Sequence, residues 1–558
     1  RGDQLAVIYD SPVTETKRHY QYRELLDETT RFAGGLRELG VGKGDRVVLY
    51  LPMIPEAVIA MLACARLGAV HSVVFGGFAA HELAIRIDDA RPTVIVSASC
   101  GIEPTRLVAY KPMLDKALEI ASHKPRACVI VQRDRQQCDL IEGRDLDWTS
   151  VMSAPVDPVP VAATDPLYVL YTSGTTGKPK GIVRDNGGHA VALLWSMRNI
   201  YDIDAGDVFW AASDVGWVVG HSYIVYGPLL AGATTVLYEG KPVGTPDPGA
   251  FWRVAAEHRV KAMFTAPTAI RAIRKEDPDG THLAGHDLSG LRYLFQAGER
   301  LDPDTYEWAT ERLGIPVVDH WWQTETGWAI SANPVGVESL PLKSGSSTVP
   351  MPGYDVRILR PDGSLCAPGE EGAICIRLPL PPGTLPTLWH DDDRFEASYL
   401  AEHPGYYLTG DGGYLDDDGY LFVMGRIDDV INVAGHRLSA GAIEAVVAAH
   451  PSVAECAVIG VADSLKGQVP RAFVVLKAGA VPDGVVDELI AAVRDEIGAV
   501  ASFKLADIVT ALPKTRSGKI LRKAMRAIAD GREEPVPSTI EDHAVLEALR
   551  PVLLREQT

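Results

Sequence analysis

Cysteine is thinly spread along this chain. Cys64, Cys100, Cys128, Cys138, Cys366, Cys375 and Cys456 are scattered and odd in number, and no Cys-x-x-Cys pair occurs. That argues against a disulfide framework and a cysteine zinc site, and a reducing compartment is the simplest setting. Long apolar runs are lacking too. The longest, 57–74, is broken by Arg66, Gly68 and His71, short of the roughly 20 residues a membrane span needs. Positive charge is in deficit: 54 Lys and Arg against 73 Asp and Glu leave a net charge of -19. This argues against nucleic acid and anionic membranes as partners. A small anion stays admissible, because loops and helix ends bind phosphate inside acidic proteins. No signal peptide is present, and the chain starts at Arg1 rather than Met. A missing N-terminal segment is therefore expected. The expected location is cytoplasmic, with the mitochondrial matrix as the alternative for a eukaryotic source.

At 558 residues the chain exceeds what one core supports, about 250–300 residues, so at least two domains are expected. Helical spacing over 22–39 and 54–67 alternates with β-branched runs at 45–51, 69–75 and 93–97. The same alternation returns between 168 and 332, with a helix near 190–199. Such alternation predicts right-handed crossovers and mostly parallel sheets. After about Pro350, turn pairs such as Asp417-Asp418-Gly419 separate short strands and predict a β-rich subdomain. From about Arg426 the pattern reads β-α-β-β-α-β, with helices over 441–450 and 487–497. The expected class is α/β. A large N-terminal domain, 1–425, holds mixed, mostly parallel sheets with helices plus the β-rich subdomain. A small mobile α+β domain, 426–558, follows it.

The densest chemistry lies at 171–181, Tyr-Thr-Ser-Gly-Thr-Thr-Gly-Lys-Pro-Lys-Gly, directly after a strand. Glycine permits close backbone approach. Free N–H groups, hydroxyls and lysines can surround phosphate oxygens. A Walker loop is excluded, because only Thr175 and Thr176 separate Gly174 from Gly177 and Pro179 follows Lys178.

This string resembles the phosphate loop of the adenylate-forming superfamily, which includes acyl-CoA synthetases, luciferases and nonribosomal adenylation domains. Further blocks follow in that family's order: Trp321-Trp322-Gln323-Thr324-Glu325-Thr326-Gly327, Tyr407-Leu408-Thr409-Gly410-Asp411, Gly425-Arg426-Ile427-Asp428-Asp429, and Pro513-Lys514-Thr515-Arg516-Ser517-Gly518-Lys519. The resemblance implies an ATP-dependent ligase that forms an acyl-adenylate and passes the acyl group to coenzyme A, releasing AMP and pyrophosphate. It implies roles for residues as well. Thr172, Ser173, Gly174, Thr175, Thr176, Gly177 and Lys178 would hold phosphates. Gly298, Glu299 and Arg300 would lie along the adenine, continued by Asp319, His320, Trp321, Trp322 and Gln323. Asp411 and Arg426 would hold the ribose, and Arg437 would face the phosphates. Lys519 would stabilise charge at the α-phosphate, with Thr324 and Glu325 at the catalytic centre. Glu325 would bind Mg2+, and a second cation would sit at Ala448, His450 and Val453. Arg106, Val219, Gly435 and Arg494 would contact coenzyme A. Glu103 stands where resembling enzymes carry a second arginine for that contact. Asp428 matches the hinge about which the small domain turns between the two half-reactions.

The nearest branch is that of acetyl- and propionyl-CoA synthetases. Trp322 matches the residue that closes the acyl pocket, which Val218, Val219 and Ala297 would also line. Acetate-type relatives carry Val at position 297. Alanine there leaves room for one more methylene, worth about 0.8 kcal/mol when buried. The run Ile182-Val183-Arg184-Asp185-Asn186-Gly187-Gly188-His189 also resembles propionate enzymes. Propionate is thus the favoured acid, with acetate and butyrate weaker, and an acetate-preferring synthetase is the alternative. A reading of another class, a non-catalytic nucleotide-binding protein, is opposed by the intact Lys519, Glu325 and Asp411. The family is often regulated by acylation of the lysine matching Lys519, which names a lysine acyltransferase and deacylase as candidate partners. The oligomeric state is left open.

Overall fold

The computed structural model describes residues 1–76, 78–172, 179–299, 301–433, 436–463, 466–498, 501–515, 518–532 and 540–555. The chain forms two compact units. One comprises Arg1–Gly298, Arg312–Pro341 and Pro379–Ala397; the other comprises Glu299–Glu311, Leu342–Leu378 and Ser398–Thr558.

The first unit holds two seven-stranded sheets. One runs in the order Val317–Asp319, Tyr293–Gln296, Ala262–Thr265, Val208–Ala211, Thr234–Tyr238, Leu5–Ser11, Thr16–Gln21. Only its last pair is antiparallel. The other runs Lys180–Asp185, Pro166–Thr172, Val70–Val73, Arg46–Tyr50, Val94–Ala98, Ala127–Val131, Asp145–Asp147. Only its first pair is antiparallel. Val94–Ala98 is buried along its whole length and Arg46–Tyr50 from its second residue on, as strands covered by helices on both faces must be. The helix Pro55–Leu67 starts on proline and stops at Gly68 in the left-handed region, φ +66°, where glycine is least penalised.

A buried ion pair ties the two sheets. Arg133, just past Ala127–Val131, donates to both carboxylate oxygens of Glu239, just past Thr234–Tyr238, at 2.9 and 3.0 Å. Tyr9 and Ser11 donate to the same carboxylate at 2.5 and 2.9 Å. Glu239 therefore enters the interior fully bonded, as a buried carboxylate requires.

In the second unit an antiparallel sheet runs Asp355–Leu359, Gly372–Arg377, Tyr406–Leu415, Leu421–Arg426. A five-stranded sheet follows, built on the long antiparallel pair Val453–Asp463 and Gly467–Leu476. The β-α-β-β-α-β pattern expected from Arg426 onward is present but enlarged. Its first strand is a hairpin, Val430–Val433 with His436–Ser439. Two helices, Arg522–Ala529 and His543–Leu553, extend its end. These helices are hard to see in the sequence: the first spans two turns, and the second contains Pro551, which ordinarily breaks a helix. Leu546, Leu549 and Leu553 are nevertheless buried in one cluster with Met525, Ile528 and Phe473. No described helix is long and apolar enough to cross a membrane.

Candidate active site

The loop expected to hold phosphate closes an edge hairpin. Pro166–Thr172 and Lys180–Asp185 pair until Thr172 stands opposite Lys180, so the two ends of the loop are fixed side by side. Ser173, Gly174, Thr175, Thr176, Gly177 and Lys178 lie outside the described residues. The Tyr171 hydroxyl donates to Asp89 at 2.6 Å, which anchors the strand just before the loop leaves it.

Glu325 sits on a tight turn. The N–H groups of Thr326 and Gly327 donate to the Gln323 carbonyl at 3.2 and 3.1 Å, and the Gln323 N–H donates to the Thr326 hydroxyl at 3.1 Å. Trp321 and Ser331 bridge the stem at 2.9 Å. Gly327 has φ +74°, a conformation that disfavours any side chain. Arg184, fully buried, donates to the carbonyls of Thr324 and Gly383, and to that of Glu325 at 3.0 Å. Its Nε donates to the Tyr168 hydroxyl at 3.1 Å. Thr324 and Glu325 are half-buried, so their main chain is fixed while their side chains reach the surface. A carboxylate and a hydroxyl on a rigid turn suit Mg2+, a hard cation that takes oxygen ligands and usually combines one or two carboxylates with substrate phosphates.

Asp319 ends its strand opposite Gln296. His320 follows, fully buried, with Nδ1 donating to the Gln296 carbonyl at 2.7 Å and Nε2 accepting from Tyr201 at 2.9 Å. Burial lowers its pKa to about 4, so the ring is neutral near pH 7. Ala297 is buried at the end of the neighbouring strand, and Gly298 follows at φ +105°. The Trp322 ring is buried and meets the Tyr223 ring edge-on at 5.4 Å. Tyr223 belongs to a π-helix, Gly220–Tyr226, a rare element that recurs at functional sites. Val218 and Val219, both half-buried, lead directly into it.

In the second unit Asp411 and Arg426 face each other across paired strands. Arg426 Nη1 is 3.4 Å from the Asp411 carboxylate and 3.2 Å from the Thr409 carbonyl. Gly410 makes room: a Cβ there would stand 2.5 Å from the Arg426 guanidinium. Lys519 lies in a turn whose ends are tied by Thr515, with bonds of 2.8 Å to the Lys519 carbonyl and 3.1 Å from the Lys519 N–H. Its side chain is exposed, yet the surrounding protein and the Arg426 charge lower its ammonium pKa. Asp411 and Asp429 oppose the shift, and Arg522 adds to it. Asp411, Arg426 and Lys519, remote in sequence, thus share one electrostatic environment. Glu299 lies in this unit, and Arg300 lies outside the described residues.

The other expected residues are dispersed. Arg494 is exposed on the last turn of Val485–Glu496. Arg106 is exposed and paired with Glu103. Asp428 lies in the short turn Ile427–Asp429 and Arg437 in the strand His436–Ser439, but their side chains are outside the described set, as is Gly435. Ala448 ends its helix, and the Val453 N–H donates to the His450 carbonyl at 3.0 Å. The His450 ring is engaged by Glu488 at 2.8 Å and by the Ser452 N–H at 3.2 Å, which leaves main-chain oxygens as the donors for a cation there.

Sequence reasoning missed three supporting groups: Arg184, Tyr168 and Ser222, whose hydroxyl donates to the Gly327 carbonyl at 2.7 Å. The one available signal was Arg184 itself, a charge directly after the apolar pair Ile182-Val183.

Two family models match the chain: "AMP-binding enzyme" over residues 1–383 and "AMP-binding enzyme C-terminal domain" over residues 442–519. Among curated proteins, an uncharacterized protein of Pseudomonas aeruginosa is 60% identical over 98% of this chain and 88% of its own length. The mitochondrial acyl-CoA synthetase short-chain family member 3 of Rattus norvegicus is 52% identical over 99% of this chain and 82% of its own. Propionate–CoA ligase of Escherichia coli K12 is 47% identical over 98% of this chain and 88% of its own. Among solved structures, acetoacetyl-CoA synthetase from Streptomyces lividans superimposes with a TM-score of 0.88 at 27% identity, covering 99% of this chain and 84% of that one.

Proposed function

We propose a preference for propionate in this chain, which belongs to the AMP-binding enzyme family and is an AMP-forming acid–CoA ligase using ATP, coenzyme A and Mg2+. The observation that carries the choice of acid is Ala297, buried at a strand end, in the branch where Trp322 closes the acyl pocket. A propionate methyl group fits the space a valine would fill, and discrimination at one methylene is worth roughly 1–3 kcal/mol. The likeness to a propionate–CoA ligase supports the same acid. Acetate and butyrate are weaker substrates on this reading.

In the first half-reaction a carboxylate oxygen attacks the α-phosphorus of ATP. The bond to the β-phosphate oxygen breaks and pyrophosphate leaves. Lys519 stabilises charge developing at the α-phosphate, and Asp411 and Arg426 accept and orient the ribose. The loop 173–178 would grip the phosphates, and Glu325 with Thr324 would hold the metal. When bound, Mg2+ neutralises phosphate charge. In the second half-reaction the thiol sulfur attacks the acyl carbon, its proton passes to solvent, and AMP leaves. The small domain, 426–558, turns about Asp428 between the two. That boundary falls in the gap between the two matched regions, 1–383 and 442–519. We place the enzyme in the cytoplasm, in keeping with seven cysteines that are thiols rather than disulfides.

The test is pyrophosphate release with ATP, Mg2+ and coenzyme A, comparing acetate, propionate, butyrate and a long-chain acid at matched subsaturating concentrations. Propionate should give the highest kcat/KM. A higher value for acetate overturns the pocket assignment, and silence with every acid overturns the catalytic one.

A further inference from the structure

Arg184 is a fully buried cation that hydrogen-bonds to no carboxylate among the described residues, although its charge acts on the neighbouring Asp185. Its bonds go to the carbonyls of Thr324, Glu325 and Gly383 and to the Tyr168 hydroxyl. Burying a guanidinium whose hydrogen bonds all go to neutral groups is costly, so the arrangement calls for a reason. Two features locate it. Arg184 belongs to Lys180–Asp185, the strand that leaves the phosphate loop, and it stands opposite Tyr168 on the strand that enters it. Its guanidinium also fits so closely under the Glu325 turn that a Cβ on Gly327 would stand 2.7 Å from its Cζ.

We propose that Arg184 is a positioning residue that locks the Thr324–Glu325 main chain to the paired strands Pro166–Thr172 and Lys180–Asp185, so that the metal-binding carboxylate is held in fixed register with the strands that flank the phosphate loop. The proposal rests on the reading of Glu325 as the Mg2+ ligand. A planar fork with several fixed donors can span three carbonyls; a lysine ammonium carries the charge without the fork. Arg184 is fully buried beneath the turn and bonds to protein groups. It acts by keeping Glu325 from wandering, and sub-ångström placement is what a preorganised site depends on.

The test compares wild type, Arg184→Lys and Tyr168→Phe. ATP binding is measured by calorimetry with Mg2+ and with EDTA. The two half-reactions are measured separately, as pyrophosphate–ATP exchange and as thioester formation from supplied propionyl-adenylate. Arg184→Lys should lose about tenfold of the Mg2+-dependent gain in ATP affinity and slow exchange, with thioester formation within about twofold of wild type. Tyr168→Phe, which removes only the Nε acceptor, should shift the Mg2+ dependence in the same direction by less, and it carries the test if Arg184→Lys does not fold. An unchanged Mg2+ gain in the folded variants, or a parallel fall of both half-reactions, overturns the proposal. If wild type itself gains nothing from Mg2+, the Glu325 assignment falls first and takes Arg184 with it.

Discussion

Glu103 accepts the Arg106 guanidinium at 2.7 Å across a two-stranded hairpin in which the two residues stand opposite each other. Both side chains are exposed, so a multiply charged phosphate can compete for the arginine. Within the coenzyme A role proposed for Arg106, Glu103 holds the arginine away from its ligand. Glu103→Gln should lower KM for coenzyme A about threefold with little change in kcat or in KM for ATP. The effect should shrink at high salt, since exposed charges are screened. Initial rates at two ionic strengths check both statements; an unchanged KM removes Arg106 from the thiol-substrate site.

Ala297→Val refills the space assigned to the propionate methyl. The ratio of kcat/KM for propionate to that for acetate should fall about tenfold, the lower half of what one-methylene discrimination delivers. Competition between the two acids in one tube measures the ratio directly.

On the proposed mechanism, Lys519→Ala removes a charge that acts in adenylate formation alone. Pyrophosphate–ATP exchange should fall at least 100-fold, in the range seen when a preorganised transition-state contact is deleted. Thioester formation from supplied acyl-adenylate should survive. Because its ammonium pKa is lowered, Lys519 should also acylate ahead of ordinary surface lysines on brief exposure to a chemical acyl donor, as peptide mass spectrometry would read.

Acid should destabilise the first unit early. His71, His189, His221 and His320 are all buried with lowered pKa values, burial being the leading cause in each; those of His221 and His320 fall to about 4. A folded-state pKa below the unfolded value of about 6.5 means that the unfolded chain binds the proton more readily. The stability these rings contribute is present above pH 6.5 and lost as pH falls toward 4. Each proton taken up on unfolding steepens the loss by about 1.4 kcal/mol per pH unit. Denaturant midpoints at pH 7.5, 6.5 and 5.5 should drop mainly over the last interval.

Arg133→Met strands the Glu239 carboxylate in the interior with only Tyr9 and Ser11 as donors. Breaking one side of a buried pair costs about 3–5 kcal/mol, so the melting temperature should fall by several degrees. Arg133→Met with Glu239→Leu should recover much of the loss, because the charge left behind is then gone.

The parallel sheets were legible because their strands are continuous apolar runs set between amphipathic helices; 93–97 and 54–67 announced themselves this way. The edge hairpins were harder to read, since Thr16–Gln21 is mostly polar and exposed. Asp411, Arg426 and Lys519 could be named from local strings, but no local string states that they share a field. Arg184 stayed hidden for a different reason. Its partners are main-chain carbonyls some 140 and 199 positions away, and carbonyls carry no residue signature.

The hairpin that bears the phosphate loop is the outermost pair of its sheet, whereas Ala297 follows the second strand from the edge of the other sheet. Position 297 is therefore carried by a different sheet from the strands that flank segment 173–178. On the proposed reading, acid choice at position 297 is open to change from a framework other than the one that carries the phosphate loop.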